Sequence, residues 1–171
     1  MKFLSPILSA LNSVEQGYIV IDTEHRVDGV SRERVFCYEL YHQLRKKMRS
    51  KQIVVHGELD KVGYPYFNSE KPDFVLHKPG SNHLNTVVLE VKVEIGIGAI
   101  KQDIDKLFRF VRNCGYQSGG LIVVGIAQDD IMNALRPLLI SYKESTGSDK
   151  IWLFILPKHG ECVQPQTLAL I

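Results

Sequence analysis

The chain has 171 residues, 44% of them hydrophobic and 23% charged, with a formal net charge of +2. That composition excludes a disordered or collagenous polymer and supplies a core for one domain. So small an excess of positive charge argues against a protein that grips nucleic acid by phosphate neutralisation alone; such a partner would require concentrated charge or a second subunit.

The N-terminal segment Met1-Lys2-Phe3-Leu4-Ser5-Pro6 carries little positive charge, and polar residues soon interrupt the apolar ones, so no signal peptide is expected. No apolar run is long enough to span a bilayer, so no membrane partner is expected. Cys37, Cys114 and Cys162 are odd in number and widely spaced. They form neither a disulfide framework nor a zinc-finger pattern, and read as reduced thiols of a cytoplasmic protein.

In chain order, Ile7, Leu8, Leu11 and Val14 have helical spacing and predict a helix over residues 6–16, ended by Gly17. Residues 22–31 are polar and read as a loop, with Ser31 as N-cap of the next helix. Residues 1–30 therefore read as an N-terminal helical extension of a single domain covering 1–171. Residues 32–48 form the clearest amphipathic helix, with Phe36, Leu40, Leu44 and Met48 recurring every fourth position. Its basic end suits the negative end of the helix dipole. Strands follow over 52–58, 73–77 and 86–93, the second and third joined by the turn signal Pro79-Gly80-Ser81-Asn82. Ile100, Ile104, Leu107, Phe108 and Val111 mark a helix over 98–113. The near-continuous apolar run 119–127 reads as a strand covered on both faces. A helix over 128–145 and a strand over 150–156 complete the order. The pattern is α/β, with a mixed sheet flanked by helices.

The chemistry concentrates on the three central strands. Pro72-Asp73 opens one strand and Glu90-Val91-Lys92 lies inside the next. Alternation sends Glu90 and Lys92 to one face and leaves Leu89, Val91 and Val93 to pack on the other. Pairing of the two strands brings Asp73 beside Glu90. Two adjacent carboxylates repel unless a cation lies between them. A hard divalent ion such as Mg²⁺ takes oxygen ligands, here Asp73, Glu90 and the carbonyl of Val91. Such an ion lowers the pKa of a bound water and offsets phosphate charge, and Lys92 is placed to orient or deprotonate that water. Glu33 lies three residues before Phe36 and seven before Leu40, on the line of the buried stripe, where a carboxylate needs a partner.

This set resembles the PD-(D/E)XK, or restriction endonuclease-like, nuclease superfamily: a helix led by Glu33, then Pro72-Asp73, then Glu90-Val91-Lys92, then a helix and a further strand, over about residues 31–127. The resemblance implies an αβββαβ core, phosphodiester hydrolysis and a Mg²⁺ or Mn²⁺ cofactor. It implies metal binding by Asp73, Glu90, Val91 and Glu33, with Lys92 acting on water. Every motif position is retained. The expected partner is nucleic acid, DNA ahead of RNA. Cutting both strands of a duplex is easier with two sites, which points to a homodimer or a subunit of a larger complex. The alternative is a non-catalytic nucleic-acid-binding or assembly module that keeps the fold.

The other readings are plainer. For Asp73 the bland reading is a turn residue, for Glu90 and Lys92 a solvated ion pair, for Glu33 an acid favoured by the helix dipole. Glu58 is either a helper beside the site or loop surface. Arg45, Lys47, Lys101 and Lys106 are candidates for phosphate contact, against a solvated face for each. Tyr64, Tyr66 and Phe67 are candidates for base stacking or for loop packing. The histidines lack zinc-site spacing. No G-x-S-x-G elbow, P-loop or dinucleotide fingerprint is present.

Overall fold

A computed structural model describes residues 3–49, 52–59, 70–80, 84–93, 97–157 and 162–170. A six-stranded mixed sheet organises it, built from β3 (Val54–Gly57), β4 (Phe74–His77), β5 (Asn85–Val93), β6 (Ser118–Val124), β7 (Ile151–Leu156) and β8 (Gln166–Thr167) in that spatial order. β3, β4 and β5 form an antiparallel meander, β5, β6 and β7 run parallel, and β8 returns antiparallel. Helices α1 (Leu4–Leu11), α2 (Gln16–Ile19) and α3 (Glu33–Met48) cover one face, and α4 (Ile97–Asn113) and α5 (Gln128–Lys143) the other. The parallel strands need crossovers, and α4 and α5 provide them. Val87, Leu89 and Val91 pack toward α3 with Phe36 and Leu40, while Val88 packs toward α4 with Ile104 and Leu107.

Three sequence expectations change. Residues 22–31 are not simply loop: β1 (Ile21–Thr23) and β2 (Arg26–Val30) form a small antiparallel hairpin. The turn between them carries no Asn-Gly or Asp-Gly pair, so the usual short-range signal is missing. Gly29, at φ +65°, lies close to Val20 and leaves no room for a side chain. Secondly, the N-terminal segment, read as a helical extension of the single domain, packs into its core. Phe3, Ile7, Ala10, Leu11 and Val14 join Phe36 and Leu40 in one core, and Asn12 accepts a hydrogen bond from the Cys162 N–H at 2.8 Å. Its first helix is shorter and earlier than the spacing suggested. Thirdly, α3 is capped by Arg32, not Ser31, with no side-chain cap bond. The C-terminal strand β8 carried only two residues of pattern and was not expected.

The centre of the sheet depends on two glycines. A Cβ on Gly120 would sit 2.8 Å from Leu89 Cδ2 and 2.9 Å from Phe154 Cε2; one on Gly119 would sit 2.9 Å from Ile151 Cδ1. Both are close-approach positions inside packed cores. Gly120→Val is expected to cost about 2–3 kcal/mol by overpacking, read as a lower midpoint in urea denaturation. An unchanged midpoint would mean that the sheet tolerates a wider strand there.

Candidate active site

The short β4–β5 connection sets the register that builds the site. Phe74 pairs with Leu89 and Val75 with Val88. Continuing that register by one residue sets Asp73 opposite Glu90, on the α4 face of the sheet. Beyond Phe74 the ladder stops, and Asp73 replaces a backbone partner: its Oδ2 accepts the Val91 N–H at 2.7 Å. Its own carbonyl accepts the Glu58 N–H at 3.1 Å. The residue is thus held by both neighbouring strands. A strand residue projects its N–H and C=O to the same edge, so the Val91 carbonyl faces the Asp73 side.

Glu90 is 2% exposed. Its Oε2 receives the Lys106 ammonium at 2.9 Å, and Lys106 also donates to the Lys71 carbonyl at 2.7 Å. Glu90 Oε1 is buried with no hydrogen-bond partner among the described residues. Lys92 extends to the same face and sits 3.4 Å from Asp103 Oδ2 and 3.7 Å from Glu33 Oε2. The site therefore holds four carboxylates and two ammonium groups from α3, β4, β5 and α4.

Electrostatics follow from crowding and burial. Burial, with Asp73 beside it, pushes the Glu90 carboxyl well above the usual range. Asp73 is raised by burial against the opposing pull of the Val91 N–H, Lys106 and Lys92. Glu33 and Asp103 are raised by burial, partly offset by Lys92. For Lys92 burial opposes the charge, but Asp103 and Glu33 together outweigh it and raise its pKa. The cluster thus sets four carboxyl groups against two ammonium groups, and burial and crowding work against ionisation of the acids.

Glu33 is less buried than the helical spacing indicated: its side chain is 42% exposed. As the first residue of α3 it has no preceding turn to cover it, and a helical Cβ leans toward the N-terminus. The carboxylate therefore projects past the apolar stripe toward Lys92. Lys106 also differs from expectation, being turned into the sheet on Glu90 rather than solvated. Lys101 is exposed on α4, while Arg45 and Lys47 lie in the last turns of α3, with Arg45 5.7 Å over the Tyr41 ring. Glu39 bonds to its helix neighbours His42 and Gln43. Tyr64, Tyr66, Phe67 and His83, and the tip of the β4–β5 turn, lie outside the described residues.

Asp103 and the role of Lys106 escaped sequence reasoning. The signal for Asp103 was present: it falls between Ile100, Ile104 and Leu107, inside the apolar stripe of α4. A carboxylate there needs a cation. Nothing in the sequence marked Lys106, a candidate for phosphate contact, as the partner of Glu90, sixteen residues away on a strand.

An open cleft of about 680 Å³ adjoins the cluster on the α3 side. Glu33, Glu58 and Asp73 line it together with Arg34, Tyr38 and Tyr41. Glu58 is exposed and adopts a left-handed backbone at φ +46°, a strained conformation for a non-glycine residue. Cys37 also lines the cleft, its thiol pushed up by burial and by Asp73, Glu33 and Glu58. All three cysteines are free. Among the described residues no group of three or more His, Cys, Asp or Glu side chains is already arranged as a metal cage, and no helix is long and apolar enough to cross a membrane. No protein-family model, curated protein or solved structure matches the chain.

Proposed function

We propose that the protein is a metal-dependent nuclease of the PD-(D/E)XK type, hydrolysing phosphodiester bonds in nucleic acid. The observation that carries this reading is Glu90 Oε1: a carboxylate oxygen on a residue 2% exposed, without a hydrogen-bond partner among the described residues, beside a second carboxylate. A buried anion left half-satisfied is costly, and a hard cation is the group that such a pair lacks. The donor set fits one: Asp73 and Glu90 offer carboxylate oxygens, Val91 a carbonyl, and Glu33 lies across Lys92 from them. Order and pairing of α3, β3, β4, β5, α4 and β6 support a restriction endonuclease-like αβββαβ core. The core is extended by β7 and β8.

Mg²⁺ or Mn²⁺ held there would lower the pKa of a water and draw charge from the phosphate. The protein's own part is positional. The Val91 N–H holds the Asp73 carboxylate at the strand end, where the residue lines the cleft. Lys92, kept protonated between Asp103 and Glu33, is placed to orient the attacking water and to offset negative charge developing on the phosphate. Asp103 is a positioning residue, acting through Lys92. The exposed cleft beside Asp73 admits substrate, while Glu90 stays covered by the sheet and α4.

The test is cleavage of single-stranded and duplex DNA and of RNA by the purified chain, with Mg²⁺, with Mn²⁺ and with chelator. Metal-dependent cleavage lost in Asp73→Ala and Lys92→Ala is the expected result. Cleavage that survives both substitutions, or none with any metal, would remove the proposal and leave the alternative of a binding or assembly module.

A further inference from the structure

The exposed side of α3 carries a pattern that the carboxylate cluster does not use. Arg34, Tyr38, Tyr41 and Arg45 are spaced i, i+4, i+7, i+11. This spacing aligns them in one stripe over about 16 Å of helix. The first three line the cleft beside Asp73. The Tyr41 ring is fixed, stacked on Phe74 with centroids 6.4 Å apart and planes 12° apart, and Arg45 lies over it at 5.7 Å. Tyr38, one turn earlier, is 68% exposed. An exposed aromatic of that size, in a cleft, between two arginines, is not accounted for by packing.

We infer that this cleft binds single-stranded nucleic acid, with an unpaired base stacked on Tyr38 and flanking phosphates at Arg34 and Arg45. The inference rests on the nuclease reading for its direction, because it leads the strand toward Asp73. Stacking on an aromatic platform needs a free base face; duplex bases present only edges, whereas unpaired ones offer their faces. Arginines at both ends of the stripe match a polyanion and fit phosphate through their planar forks. A volume of about 680 Å³ lies in the range of clefts that enclose a small organic ligand, so a nucleoside fits. The carboxylates at the Glu33 end repel phosphate, so binding across the whole cleft requires a cation among them. This selects single strands, flaps or frayed ends over continuous duplex, and a base-blind platform implies little sequence preference.

The experiment measures fluorescence anisotropy of labelled oligo(dT), oligo(U) and a mixed duplex, each of roughly 12 nucleotides or pairs, with the full chain in Ca²⁺ and in chelator. Cleavage in Mn²⁺ is followed separately. A single strand is expected to bind about tenfold tighter than duplex, with Ca²⁺ strengthening it. Tyr38→Ala is expected to lose about tenfold of that affinity while Tyr38→Phe retains it. Equal binding of duplex, or parental affinity in Tyr38→Ala, would overturn the inference even if cleavage is observed. Tyr38-dependent binding of single strands with no cleavage in any metal would uphold the cleft and remove the nuclease reading.

Discussion

Glu90→Gln is expected to cut phosphodiester cleavage by a factor on the order of 10²–10³ or more while leaving the melting temperature in chelator unchanged or raised. The two effects diverge because they arise from one property. Glu90 is buried beside Asp73, and burial pushes its carboxyl well above the usual range. A neutral amide of the same shape removes the desolvated charge and can still accept the Lys106 hydrogen bond through its carbonyl oxygen. It loses the negative charge that a hard cation needs. For a chain of this length each kcal/mol shifts the melting temperature by about 2–4 °C, so a modest gain is readable. A purely structural ion pair would behave in the opposite way, losing stability with no function to lose. Parental cleavage by Glu90→Gln would exclude Glu90 as the metal-binding acid.

Lys106→Met is expected to destabilise the metal-free protein by about 3 kcal/mol at neutral pH, since removing one partner leaves the other charge buried. The lysine side chain is 18% exposed and Glu90 2%, so water replaces little of what is lost. The sign of the pH dependence follows from Glu90. A carboxyl whose folded pKa is raised contributes stability while it holds its proton. That contribution is fully present below the unfolded value near 4.5 and is lost as pH rises through the folded value. The variant should therefore approach the parent as pH falls toward the unfolded value of 4.5 and fall furthest behind once pH has risen past the folded value. Mn²⁺ should restore stability to the variant more than to the parent, because the ion takes the place of the missing ammonium. The double variant Glu90→Gln/Lys106→Met should recover most of the loss, a coupling that a double-mutant cycle in urea measures. An equal loss at all pH values, or no coupling, would show that Lys106 acts through packing of its aliphatic stem and not through Glu90.

Both results turn on a lysine whose role in the site was not visible from its place in the chain. At helical spacing Lys106 reads as surface, yet the way α4 crosses the sheet carries it to β5. Glu33 illustrates the reverse. Its stripe position promised deep burial, but a helix terminus is open on one side, and the carboxylate stays half in solvent. Asp103 was legible and passed over, since a carboxylate inside an apolar stripe is itself a signal.

The amino-acid order alone marked the elements that carry the site and their faces. Helical periodicity marked α3 and α4, and β-branched runs marked β5 and β6. Alternation along β5 dictated that Glu90 and Lys92 share a face while Leu89 and Val91 pack, because a strand has a period of two. These are local rules, readable without knowing what lies across the sheet. Tertiary structure decided whatever depends on distance between remote residues: the merging of the N-terminal helix into the core, the seating of Lys106 on Glu90, the holding of Lys92 by Asp103, and the opening of a tyrosine-lined cleft beside Asp73. Charge interactions fall off with separation and strengthen with burial, and neither quantity is set by sequence spacing between a helix and a strand.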